Sequence, residues 1–124
     1  MDEKWTLRFD ERAGRVFIIG QGFATEQVSK TAADRFLEVL GSNTVDLVVD
    51  VGNVTGYASG ARRAWQERFY PVRKQLKRLL IVGSNIPSMV RMAATVVAAV
   101  TGVPVRFYTT MAELELSVGR DKTG

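Results

Sequence analysis

The chain has 124 residues, 46% hydrophobic and 24% charged, with 11 aromatic residues and a formal net charge of +4. A chain of this size buries roughly two thirds of the surface its unfolded form exposes, which gives one core, and this composition excludes a disordered chain. With no cysteine and no histidine, disulfides, thiolate metal sites, Cys or Ser nucleophiles activated by His, and imidazole acid-base chemistry are all excluded.

Along the chain, "KWTLRF" and "RVFIIG" are two β-rich runs separated by the polar turn "DERAG", a spacing suited to a hairpin. "GQG" at 20–22 follows the second run and reads as a turn. From Thr25 to Leu40 the apolar residues Val28, Ala32, Phe36, Val39 and Leu40 recur at helical spacing, and Gly41, Ser42 and Asn43 end the pattern. "VDLVVDV" is an apolar, β-branched run suited to a buried strand, and "RLLIVG" and "VPVRFY" repeat that character further on. Between these runs lie a helix from about Ser59 to Lys77 and another from about Pro87 to Thr101. A last helix begins after Thr110 with the capping box "TMAE".

The order is therefore ββαβαβαβα. Three successive β-α-β units imply right-handed crossovers and an α/β fold. We expect a mixed, mostly parallel five-stranded sheet with helices chiefly on one face, the opening hairpin adding an antiparallel strand at one side. One domain over 1–119 with a flexible C-terminal tail at 120–124 is expected. The stretches "GNVTGYAS" and "GSNIPS" follow the third and fourth strands and fall on the same sheet edge, where open α/β sheets usually place their sites. Ser84 and Asn85 lie in the second of these loops.

This order, together with "LVVDVGNVTGYASGA", resembles the STAS family of bacterial signalling domains, to which the anti-sigma-factor antagonists belong. In that family a strand ending in Asp runs through an apolar-Thr pair into an Asp-Ser-Ser-Gly helix start, whose first Ser is the target of a partner kinase. Aligned without a gap, Asp50 matches the strand-end Asp, Val54 and Thr55 match the pair, and Ser59 falls on the phosphoacceptor. Ala58 stands in place of the family Asp, Gly60 in place of the second Ser and Ala61 in place of the Gly. The closing half, "RLLIVGSNIPSMVRMAATVVAAVTGVPVRFYTTMAEL", is similar to the STAS-like subgroup often grouped with CRAL-TRIO lipid-transfer proteins.

Read residue by residue, Asp50 has no second carboxylate in its loop, and its expected role is to accept backbone hydrogen bonds at the strand end. Together with Thr55 it structures the loop. Ser59 serves as a helix N-cap, a role compatible with phosphorylation. The glycines at 52, 56 and 60 lack the Gly-Lys-Ser/Thr ending of a phosphate-binding P-loop. No catalytic residue, metal or cofactor is expected.

The charge is uneven: residues 62–78 hold seven of the 17 Lys and Arg residues against a single acid, Glu67, while the rest of the chain carries ten basic and twelve acidic residues. A general nucleic-acid coat is therefore not expected. On the helix from Ser59, Ala58, Ala61, Trp65, Phe69, Val72 and Leu76 fall in one stripe that packs on the sheet. Arg62, Arg63, Gln66, Tyr70, Arg73, Lys74 and Lys77 fill the adjoining sector.

The expected function is a non-enzymatic signalling module that binds an acidic protein partner, a kinase or other regulator, through residues 52–60 and the following helix. Tyr57 and that basic sector carry the contact. The alternative is a carrier or sensor of a lipid or other small apolar ligand. The helix at 86–101 is apolar or small around most of its circumference. A second subunit on Met89, Met92 and Val96, or an internal apolar pocket, is expected to cover it. No basic stretch followed by an apolar run opens the sequence, so a cytoplasmic location is expected.

Overall fold

The computed structural model describes residues 5–123. The elements are β1 (Thr6–Asp10), β2 (Arg15–Ala24), α1 (Glu26–Leu40), β3 (Val45–Tyr57), α2 (Ser59–Phe69), a 3-10 helix (Tyr70–Gln75), β4 (Leu76–Val82), α3 (Ser88–Thr101), β5 (Val105–Tyr108) and α4 (Met111–Thr123). The five strands form one sheet in the order β1-β2-β3-β4-β5. β1 pairs antiparallel with β2, and every other pairing is parallel. This is the expected α/β order and sheet.

Alternation along the strands sorts the core onto two faces. Val16 and Ile18 of β2, Leu47 of β3, and Leu79 and Ile81 of β4 face the layer of α1, α2 and α3, where Phe36, Phe69 and Val97 meet them. On the other face Val48, Leu80 and Tyr108 are covered by Leu114 and Val118 of α4. Three helices on one face and one on the other match the expected layering. On the α4 face, the buried Asp46 accepts two bonds from the Arg78 guanidinium, at 2.7 and 3.0 Å. Arg15 of β2 pairs with Glu115 of α4.

Local chemistry sets the helix ends. The Thr25 hydroxyl accepts from the Val28 N–H at 3.1 Å at the start of α1, and Gly41 closes that helix with a φ of 52°. At α4 the Thr110 hydroxyl accepts from the Glu113 N–H at 3.1 Å. The Glu113 carboxylate reaches back one residue beyond the usual capping box, to the Thr109 N–H at 3.2 Å. α4 runs on through 120–123, and Gly124 of the expected tail lies outside the described residues.

Three elements differ from expectation. "GQG" is not a turn: β2 continues through it to Ala24. The expected loop at 52–60 is strand as far as Tyr57. The helix from Ser59 ends at Phe69 rather than Lys77. Pro71 has no N–H to give the Glu67 carbonyl, and Val72, at φ −109° and ψ 16°, leaves helical geometry. Leu76 is therefore buried as the first residue of β4, not on a helical stripe, and Lys77 belongs to the same strand.

Candidate functional site

The C-terminal edge of the sheet is built by an extension of β2 and β3 beyond the other strands. Past a register shift, Gln21 pairs with Asn53 and Gly22 with Val54; past a second, Phe23 pairs with Gly56 and Ala24 with Tyr57. Gly22 takes a φ of 73° at the second shift, a conformation glycine adopts without a Cβ penalty. The Asp50 carboxylate accepts from the Gly52 N–H at 2.9 Å, the expected backbone bond, although Asp50 lies within β3 and not at its end. Thr55 is exposed on the β3 extension, and Ser84 and Asn85 are exposed in the β4–α3 turn, where Asn85 has a φ of 55°. A Cβ on Gly83 would lie 3.0 Å from the Gly52 nitrogen, so the end of β4 approaches the middle of β3 at this glycine pair.

Ser59 is not the N-cap of α2. Ala58 holds that position, with no side-chain cap bond, because its N–H is drawn to the Ala24 carbonyl at 2.9 Å as the β2–β3 pairing ends. Ser59 is the first helical residue and is exposed. Beside it lies a carboxylate that sequence reasoning missed. A Cβ on Gly60 would fall 2.6 Å from Cδ of Glu26, so the Glu26 carboxylate rests on the first turn of α2, where the helix dipole favours an anion. Lys30 approaches Glu26 at 3.4 Å.

The basic residues are spread over three elements rather than one helix. Arg63 and Tyr70 are exposed, as are Lys74 of the 3-10 helix and Lys77 of β4. Arg73 stacks over the Tyr70 ring at 4.2 Å and donates to the Tyr70 carbonyl at 2.7 Å. Arg62 is half-buried and donates to Gln66 Oε1 at 3.3 Å. Among the described residues none of Arg62, Arg63, Arg73, Lys74 and Lys77 is paired with a carboxylate, whereas Arg68 is held by Asp34 at 2.8 Å.

Beneath α2 and α3 lies a cavity of about 110 Å³. It exists because Ala61 of α2 and Ala93 and Ala94 of α3 are small where the two helices cross the sheet. Its aromatic wall is a row: Trp5 and Trp65 with ring centroids 6.5 Å apart, and Trp65 and Phe69 at 5.4 Å. Among the described residues Arg62 is the only charged one on the lining, whose surface is otherwise almost wholly apolar. On the opposite side of α3, Met89 and Met92 are exposed, while Val96 is half-buried. No helix of the described residues is long and apolar enough to cross a membrane.

No protein-family model matches the sequence, and no curated protein matches it. A solved structure does: an uncharacterized protein from the DUF3478 family with a SpoIIAA-like fold, from Shewanella loihica PV-4. The two chains superpose with a TM-score of 0.67 over 90% of each, at 14% sequence identity. The fold is SpoIIAA-like. This is the STAS-like architecture that the sequence resemblance implied, and at this identity the likeness concerns the fold alone.

Within the SpoIIAA-like sheet, the residues singled out from sequence fall into separate groups. Asp50 and Thr55 stand on β3, with Ser84 and Asn85 across the edge. Ser59 opens α2, and Tyr57 and Arg62 turn to the cavity. Arg63, Tyr70, Arg73, Lys74 and Lys77 follow along α2, the 3-10 helix and the start of β4. Trp5 was missed as a cavity residue because nothing local marks it. It reaches the site from the chain's opening, and its indole N–H donates to the Gln21 carbonyl at 3.1 Å.

Proposed function

We propose that the protein is a non-enzymatic regulatory module that binds an acidic protein partner through the exposed surface of α2 and the 3-10 helix after it. The observation that carries this reading is the set of cations there with no carboxylate partner, arranged about Tyr70, which is 49% exposed with Arg73 stacked on its ring. Arg and Tyr are favoured at protein interfaces, and an Arg already stacked on an aromatic ring loses less side-chain freedom on binding. Cations with no carboxylate partner within the chain steer an oppositely charged surface during encounter.

Ser59 is the phosphoacceptor in this reading. A phosphate there would stand beside the Glu26 carboxylate, so modification would act by repelling Glu26 from the first turn of α2 and adding negative charge next to the basic surface. For an acidic partner that change weakens binding. The cavity favours a second reading, a small apolar ligand, but its volume of about 110 Å³ suits a single ring rather than a lipid acyl chain.

Affinity capture from the source cell, run in parallel with the wild-type chain and an Arg63→Glu/Lys74→Glu variant, tests the partner reading. Wild type is expected to retain an acidic protein that the reversed variant loses. Equal recovery by both would contradict it.

A further inference from the structure

We infer that the cavity between α2, α3 and the sheet is a binding site for a monocyclic apolar carboxylate, with Arg62 recognising the anion. The inference deepens the small-ligand reading and is independent of the protein partner. Size sets the apolar part. An engineered apolar cavity of about 150 Å³ takes up benzene, and this apolar pocket, open at one side, has a comparable volume of about 110 Å³. Its mouth lies along the seam of α2 and α3, where Tyr57, Arg62, Trp65 and Ala94 are only half-buried. A ring slid between Trp65 and the Ala94 side would meet apolar side chains.

The polar part follows from what stands at that mouth. Among the described residues Arg62 is the single charged one on the lining, and its guanidinium, at the mouth, donates to a neutral amide oxygen at 3.3 Å, a long bond. A guanidinium presents paired N–H donors matched to a carboxylate, and the pairing strengthens beside apolar walls. An unfilled cavity lowers stability in proportion to its volume, and a larger side chain at Ala93 or Ala94 would remove it. The small residues are explained if the space is occupied when the protein works.

The chain's two tryptophans, Trp5 and Trp65, both line the cavity, so intrinsic emission reports on this site alone. The experiment titrates benzoate, and its neutral isostere benzyl alcohol, into the full chain and follows tryptophan emission. Benzoate should give a saturable change, with benzyl alcohol binding at least about tenfold more weakly, as loss of a charge-assisted pair implies. Arg62→Met should weaken benzoate about tenfold and leave benzyl alcohol unchanged. Ala94→Leu should abolish both, with folding checked by circular dichroism and Ala93→Leu taken in its place if that variant does not fold.

Absence of a saturable benzoate response at millimolar concentration overturns the inference. So does unchanged benzoate affinity in Arg62→Met, or in the folded cavity-filled variant. Arg63→Glu/Lys74→Glu should bind benzoate as wild type does, so failure of the partner reading and failure of this one are told apart.

Discussion

Gly20 is predicted to be indispensable for the seating of Trp5, and Gly20→Ala tests this directly. A Cβ at this buried β2 position would lie 2.8 Å from Cη2 and 2.9 Å from Cζ2 of Trp5, and 2.9 Å from Cγ2 of Val54. Carbon atoms prefer roughly 3.5–4.0 Å, so the indole or the β3 valine must retreat by about 0.6–1.2 Å. The indole cannot do so freely: Trp5 is 4% exposed, tied to Gln21 and stacked toward Trp65. Overpacking of this kind costs about 1–3 kcal/mol, and replacing a strand glycine with alanine returns about 0.5–1 kcal/mol. Taking the middle of each range, the net loss is about 1 kcal/mol, or a fall in Tm of about 4 °C for a domain of this size. Thermal unfolding followed by circular dichroism reads it. Trp5→Phe withdraws the ring atoms nearest Gly20, so the double variant should lose about 1 kcal/mol less than the sum of the singles. A Tm for Gly20→Ala equal to or above wild type, or strict additivity, would refute the reasoning.

Ala58→Ser places a hydroxyl at an N-cap that lacks one and should raise stability by about 1 kcal/mol in chemical denaturation, whereas Ser59→Ala should stay within about 0.5 kcal/mol of wild type. The reverse ranking would show that Ser59 caps α2 after all. Thr25→Ala removes the hydroxyl that accepts from Val28 and should cost about 1 kcal/mol, with exchange of the first α1 amides accelerated; unchanged exchange would count against it. Asp46→Ala strips the Arg78 guanidinium of a buried bidentate partner. It should cost about 3 kcal/mol, the low end for breaking such a pair because Arg78 itself is only partly buried, and a loss under 1 kcal/mol measured by urea unfolding would contradict it.

The chain order of strands and helices was legible because each buried run carries its own signal. "VDLVVDV" and "RLLIVG" are β-branched and apolar, α1 shows helical spacing between a capping Thr25 and a closing Gly41, and "TMAE" announces α4. What misled was glycine. Gly20, Gly22, Gly52 and Gly56 read as turn or loop residues, yet all four lie in strands, because each answers a tertiary demand that no local pattern displays. Gly20 admits Trp5, Gly22 takes a positive φ at a register shift, Gly52 meets Gly83, and Gly56 lies against the Phe23 ring. Pro71 was a visible breaker. Extending α2 through it to Lys77 put Leu76 on a stripe that a strand in fact buries. Ser59 looked like an N-cap because its residue type fits one, while the position is fixed by where β3 stops pairing with β2. An apolar pocket beside α3 was anticipated, as the alternative to a second subunit, from the apolar circumference of that helix, but its lining residues were not. Its walls come from α2, α3, the ends of β2 and β3, β4 and Trp5 ahead of β1, and apart from Tyr57 and Arg62, which read as surface contacts, the individual residues read as ordinary core.

The claim that the α2 surface recruits an acidic protein is tested most directly by the association rate of the captured partner, measured by stopped flow as a function of ionic strength. For wild type the rate should be high at low salt and fall steeply as screening shortens the reach of the cations. For Arg63→Glu/Lys74→Glu the low-salt rate should be about tenfold lower and nearly flat with salt, the two curves converging at high ionic strength. Equal rates with equal salt dependence would mean that the basic surface is merely solvated, and the functional account would be wrong.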